Sequence, residues 1–340
     1  MVNNTSASTI NRIGYLDDLK GITIILVVVG HVVQSYLSPE RFLYDPLFKY
    51  IYAFHMQLFM MLSGMTMKSY ISTGKELSSL IYKRAKQLLI PYFAWGIANA
   101  FVKWELPILP EMVLNPGTQL WFLWDLFFIS STFASAVYVK SKLKWRLLPL
   151  LLTAFAVWVG ISLVLKGECD STRIFRLLIF YSLGYYCKTL DIRKITHGKA
   201  ITVLTMIGYV VATFFWKMQP DAENIVDLAF LNRFFVSTPY RMAVSVLGCF
   251  AFLFIVQILS QYLEKTFINS LGKITLGVYA SHLFLIHCFN LKLDNVGYFG
   301  PLVVMTVLLL ICSVLLIKIL DSNGITSVLF LGKKCGRQIR

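Results

Sequence analysis

Long apolar runs separated by short basic gaps repeat along the whole of this 340-residue chain. They fall at roughly 19–37, 47–67, 87–104, 119–139, 145–165, 173–188, 199–216, 241–260, 271–290 and 299–320. A helix needs about 20 mostly apolar residues to cross the hydrocarbon of a bilayer. The pattern therefore predicts an all-α, polytopic integral membrane protein with about ten transmembrane helices. The sixth run is the shortest and contains Arg176. No internal repeat is visible. Residues 1–340 read as one membrane-embedded domain, with a polar cytoplasmic N-terminal tail (1–18) and a basic cytoplasmic C-terminal tail (321–340). The opening "MVNNTSASTINR" lacks the basic n-region of a secretory signal, so the first apolar run is expected to stay as a span.

Composition points the same way. Hydrophobic residues make up 57% of the chain and charged residues 14%, against about 25% charged in an average soluble domain. The net charge of +15 could suggest a nucleic-acid partner, but the basic residues sit in the gaps between apolar runs, as the positive-inside rule requires. Counted for ten spans, 22 lysines and arginines fall in the even-numbered gaps and the two ends, and 8 in the odd-numbered gaps. Both termini are then cytoplasmic, in a multi-pass protein of the cell membrane with membrane lipid, not nucleic acid, around it. The six cysteines show no CxxC spacing and the five histidines no HExxH. Neither a disulfide framework nor a metal site is expected.

The polar residues inside the apolar runs carry the chemistry. In "YLDDLKGITIILVVVGH" (15–31), Lys20 and His31 are eleven residues apart. On a helix that is about 16 Å of rise and a return to within about 20° of the same face. Lys20 then stands at the cytoplasmic mouth and His31 deep in the membrane, where an imidazole is costly and faces protein or water. Lys83, Arg84 and Lys86 stand together where the third run enters the membrane. They are either a phosphate-binding cluster or a topology signal. His55, Asp125, Arg176, Arg241, His282 and His287 are the other intramembrane polar residues. His282 and His287 are five residues apart, about 140° around a helix, so only one of them can line a given cavity; His282 is the deeper. Two outer gaps, 104–121 and 217–241, are candidates for a re-entrant segment and a sugar-facing loop.

At these residues the chain resembles the membrane acyltransferase 3 family, in particular its short stand-alone members described as fucose 4-O-acetylase-like. "YLDDLKGITIILVVVGH" is similar to the family's basic residue, ten spacers and histidine. "IYAFHMQLFMMLSG" is similar to its F-H-M-P-L-F…S-G segment, with Gln57 in place of the proline. "KRAKQLLIPYFAW" resembles its basic run before L-I-P-Y, with Lys83 and Lys86 where arginines are frequent. "LWFLWDLF" resembles its W-F-L segment, and "LGKITLGVYASH" its late S-x-x-Y-x-x-H helix.

The resemblance implies an acyl-CoA-dependent O-acyltransferase of the bacterial cell envelope. It would move acetyl, or another small acyl group, from acetyl-CoA to a hydroxyl of a cell-surface polysaccharide or lipid-linked sugar. His31 would be the base that takes the hydroxyl proton. Lys83, Arg84 and Lys86, with Lys20, would hold the CoA phosphates. Asp125 would orient a histidine, and His55, Trp121, Arg241, Tyr279 and His282 would line the acceptor side. A glycolipid transporter or flippase is the alternative for a chain with buried charges; a family member without chemistry is the other.

Overall fold

The computed structural model describes residues 3–38, 41, 43–103, 112, 120–144, 146–164, 171–217, 238–263, 266–289 and 299–333. Among them the regular structure is helical, without strands. In chain order the α-helices are α1 (Asn3–Tyr36), α2 (Pro46–Tyr52), α3 (His55–Met65), α4 (Gly74–Lys103), α5 (Trp121–Leu143), α6 (Leu147–Val164), α7 (Ser171–Cys187), α8 (Gly198–Phe215), α9 (Thr238–Leu263), α10 (Phe267–Lys273), α11 (Thr275–Phe289), α12 (Phe299–Asp321) and α13 (Gly324–Leu331).

Each of the ten apolar runs is helical over most of its length. Among the described residues, α5, α8, α9 and α12 are long and apolar enough to cross a membrane, and the bent pair α10–α11 makes a fifth if it counts as one span. Several boundaries differ from those read in the sequence. The first helix starts at Asn3, inside the stretch read as a tail. The second run is two helices, broken at Ala53–Phe54. The ninth bends by 89° between Lys273 and Thr275. The segment after 321, read as a tail, contains α13. Of the two outer gaps, 104–111, 113–119 and 218–237 lie outside the described residues.

The chain forms two compact units. The first comprises Met1–Phe59, Thr189–Thr275 and Leu291–Val307. Its centre is the crossing of α1 and α10, where small residues let backbones touch. A Cβ on Gly21 would collide with the carbonyl of Ile268, and one on Gly272 with the carbonyl of Asp17. Beside this contact the buried Asp18 accepts a hydrogen bond from Asn269 Nδ2 at 2.8 Å.

The break between α2 and α3 also has a local cause. Helix α2 starts cleanly: Pro46 opens it and Asp45 caps it, accepting from the amide of Phe48 at 2.9 Å. Its end contains neither proline nor glycine. Instead, side chains of other helices take the carbonyls freed there. Tyr209 donates to Tyr50 O, and Ser245 Oγ donates to Ala53 O at 2.5 Å. Gly248 lets α9 come close, since a Cβ there would be 2.8 Å from Phe54. Backbone groups that leave a helix inside apolar surroundings persist only when they are satisfied in this way.

The second unit comprises Met60–Lys188, Leu276–Asn290 and Leu308–Arg340. Helices α3 and α7 cross through Gly64 and Gly184, each set against the other helix's backbone. Helix α4 carries Pro91, which cannot donate to the carbonyl of Gln87 four residues earlier. Gly332 packs against this carbonyl, in a left-handed conformation (φ +62°) that ends α13. The rest of the α13 anchorage is polar. Asn323 caps its start, Trp95 Nε1 donates to Phe330 O at 2.9 Å, and Lys333 pairs with Asp321 at 2.7 Å.

Candidate active site

In the first unit, α1 is unbroken from Lys20 to His31, so the spacing argument applies to a real helix. Lys20 is part-exposed and pairs with Asp17 one turn earlier, 3.1 Å away. His31 lies in the last two turns of α1 and is half-buried. Facing it is Tyr52, the last residue of α2. The two rings meet edge to face with centroids 6.2 Å apart. Tyr52 also lies against His55, with centroids 4.8 Å apart, and stacks on Phe48 at 3.8 Å. Its hydroxyl donates to Gln34 Oε1, 3.2 Å away and three residues beyond His31 on the same helix. The close approach depends on Gly30, where a Cβ would stand 2.7 Å from Tyr52 Cε2.

The helix break sets the role of His55. As the first residue of α3 it is 3% exposed, and its Nδ1 is 2.8 Å from Ile51 O. A carbonyl only accepts, so Nδ1 carries the proton and donates. The ring is thereby locked, with its lone pair on Nε2. Of the two histidines, His31 is the more accessible.

The second unit holds the other candidates. Trp121 opens α5, and Asp125 follows one turn later, 1% exposed. The expectation joined Asp125 to a histidine. The structure joins it to Arg173, in the first turn of α7: Nε donates to Oδ2 at 2.7 Å and Nη2 to Oδ1 at 3.4 Å. A buried carboxylate needs a cation, and the guanidinium fork meets that need. The same guanidinium lies 5.1 Å over the Trp121 ring. An aromatic chain continues from Trp121 to Phe122, then Tyr279, then His282, with centroids 5.9, 5.7 and 5.7 Å apart. His282 is fully buried, and its Nδ1 faces Val278 O at 3.2 Å. His287, on another face of α11, is 3.3 Å from Asn99 Oδ1.

Lys83, Arg84 and Lys86 lie on the third and fourth turns of α4, with Lys83 and Lys86 exposed and Arg84 half-buried. The Lys86 ammonium sits 4.5 Å over the Tyr82 ring. Lys20 belongs to the first unit and these three to the second. Arg241, in the first unit, lies 5.8 Å from the ring centroid of Trp216.

Sequence reasoning missed Tyr52 and Arg173. Arg173 is one of the eight outer-gap charges of the ten-span pattern, and a membrane aspartate without a named cation is the signal that points to a missing partner. For Tyr52 no comparable signal exists, because it is one aromatic among many in its stretch. Among the described residues no group of three or more His, Cys, Asp or Glu side chains could hold a metal ion.

A family model described as an acyltransferase domain matches residues 13–319. The chain belongs to the membrane acyltransferase 3 family. Two relatives are named nodulation protein NolL. The one from Mesorhizobium japonicum (strain LMG 29417 / CECT 9101 / MAFF 303099) is 30% identical over 196 residues, 53% of this chain and 48% of the relative. The one from Sinorhizobium fredii (strain NBRC 101917 / NGR234) is 44% identical over 96 residues, 26% of this chain and 25% of the relative. The matched regions thus span about half or less of these relatives' own length. No solved structure matches the chain significantly. The acyltransferase 3 domain therefore covers nearly all of this membrane protein, including both histidines of the first unit and the Asp125–Arg173 pair of the second.

Proposed function

We propose that this acyltransferase is a multi-pass O-acyltransferase of about ten spans in the cell membrane, with cytoplasmic termini. It transfers a small acyl group, acetyl first, from acyl-CoA to a hydroxyl of a cell-surface glycan or lipid-linked sugar. The observation that carries this reading is the His31–Tyr52–His55 cluster. It places an accessible imidazole on α1, on the same unbroken helix as Lys20.

The chemistry follows from what an alcohol lacks. A hydroxyl is a poor nucleophile at neutral pH, and a neutral imidazole can take its proton as it attacks. The acceptor oxygen bonds to the thioester carbonyl carbon while its proton passes to His31. The carbon–sulfur bond then breaks, and CoA leaves as thiolate and takes the proton back. In this reading Tyr52 holds the ring of His31 from the side, and His55, with its tautomer fixed, supports Tyr52. Lys83, Arg84 and Lys86 bind the phosphates of CoA. Arg241, Tyr279 and His282 remain proposals for the acceptor side.

The test is release of free CoA from acetyl-CoA by the purified protein in a membrane mimetic, with a bacterial glycolipid extract as acceptor pool. Wild type should release CoA, and His31→Ala, folded to the same melting temperature, should lose at least about a hundredfold. Equal release by the two proteins would remove His31 from the base role. No release by wild type would count against acyl-CoA as donor.

A further inference from the structure

Among the clusters in this fold, the Asp125–Arg173 pair fits a plain structural role least well. Replacing a buried ion pair by apolar side chains of similar volume is often neutral or stabilising, so such a pair contributes little net stability. This one is also only partly buried. The Asp125 side chain is 1% exposed, whereas that of Arg173 is 23% exposed and lies over the half-buried ring of Trp121. Trp121 is the first residue of α5, and Arg173 is in the first turn of α7. The cluster therefore stands where two helices of one unit begin, at the end of an aromatic wall running through Phe122 to Tyr279.

We propose that Trp121, Asp125 and Arg173 form the subsite that holds the acceptor's sugar ring, and that this ring is uncharged. The inference rests on the glycan-acceptor reading above and names the class of sugar. An indole offers a flat apolar face to the carbon–hydrogen face of a pyranose. The part-exposed guanidinium of Arg173 donates to neighbouring hydroxyls, while Asp125, 1% exposed and with both oxygens already accepting from it, holds it in place. Together the two groups carry no net charge. A uronic acid or sugar phosphate would gain nothing from Arg173 without meeting Asp125, which repels it. In this role Asp125 positions Arg173 and does not orient a histidine.

The test is binding of simple sugars by the full-length protein in phospholipid nanodiscs, since maltoside detergents carry sugars of their own. Tryptophan fluorescence is followed while methyl α-D-glucopyranoside, methyl α-D-galactopyranoside and methyl α-L-fucopyranoside are titrated, with sodium glucuronate as the charged probe and glycerol as control. At least one neutral glycoside should give a saturable change that is absent in Trp121→Phe. Its affinity should fall at least about tenfold in Asp125→Asn. The double variant Asp125→Asn/Arg173→Gln leaves no unpaired charge and should fold, yet still fail to bind. Three results would overturn the proposal: saturable binding by none of the neutral glycosides, unchanged affinity in Asp125→Asn, or glucuronate binding as well as the neutral sugars. CoA release by the same preparation is scored separately. If release depends on His31 while sugar binding fails, the subsite is wrong and the acyltransfer reading stands.

Discussion

The ring of Tyr52 stands between two histidines, 6.2 Å from His31 and 4.8 Å from His55 by ring centroids. His31 is on α1 and His55 begins α3, so the tyrosine fixes the side chains of two separate helices. In the proposed reaction Tyr52 is a positioning residue. Its aromatic body should matter more than its hydroxyl, because the hydroxyl donates to the exposed Gln34 rather than to either histidine. Tyr52→Phe should keep acyl transfer within a few fold of wild type. Tyr52→Ala should lower turnover about a hundredfold, the usual cost of misplacing a reacting group by about 1 Å. Steady-state CoA release decides between them. Rescue by phenylalanine and a loss in kcat, with KM for acetyl-CoA less affected, would support positioning. Equal loss in both variants would give the hydroxyl a direct role.

The α1–α10 crossing should be the least tolerant contact of the first unit. At Gly272 an added methyl would run into the Asp17 carbonyl, and at Gly21 into that of Ile268. Backbone cannot swing aside as a long side chain does, so each alanine must push the helices apart. Overpacking typically costs about 1–3 kcal/mol, and separation here would also pull Asn269 away from the buried Asp18. Gly272→Ala should therefore melt well below wild type in a thermal size-exclusion assay. Gly300→Ala is the internal control, since nothing lies within 4 Å of a Cβ there. Similar melting of the two variants would mean the crossing can yield.

Much of this fold was legible in hydropathy, because a helix in an apolar environment satisfies its own backbone and needs only length and composition to declare itself. The eleven-residue spacing of Lys20 and His31 was readable for the same reason. The break before His55 was not. It depends on Tyr209 and Ser245, which lie 159 and 192 residues further along the chain from the carbonyls they reach. The partner of Asp125 was half legible: burial called for a cation, but nothing local chose Arg173, 48 residues away. Helix α13 was hidden by its length of 8 residues and by the basic stretch after it.

That short helix leads to the next prediction. Trp95 Nε1 donates to Phe330 O, and the indole packs edge to face on both Phe284 and Phe330, at 5.5 and 5.0 Å. Trp95→Phe keeps much of the packing and removes the donor, which should cost about 1 kcal/mol. Gly332→Ala should cost more. It forces a side chain into a left-handed backbone conformation and brings a Cβ to 2.5 Å from Gln87 O. Hydrogen exchange of 324–331 should rise in both variants, more in Gly332→Ala. No change in exchange would show that α13 is held by contacts other than these.

Acid should loosen the start of α4 before it affects the membrane helices. Glu76 is half-buried, and its carboxyl is held down to about 2 from an ordinary 4.5. The chief cause is the hydrogen bond from Lys68 at 2.6 Å, followed by those from the amide and hydroxyl of Ser72. Because the folded carboxyl binds its proton less readily than the unfolded one, the contact stabilises the fold fully above about pH 4.5. That contribution is lost as the pH falls towards about 2. The turn 66–73 should therefore become more accessible to an acid-active protease between pH 4.5 and 2, in wild type but not in Glu76→Gln, where it is already open at neutral pH. Raised salt should weaken the effect, since both Lys68 and Glu76 face solvent. A wild-type profile as flat as that of Glu76→Gln would show that the Lys68–Glu76 pair does not hold this turn.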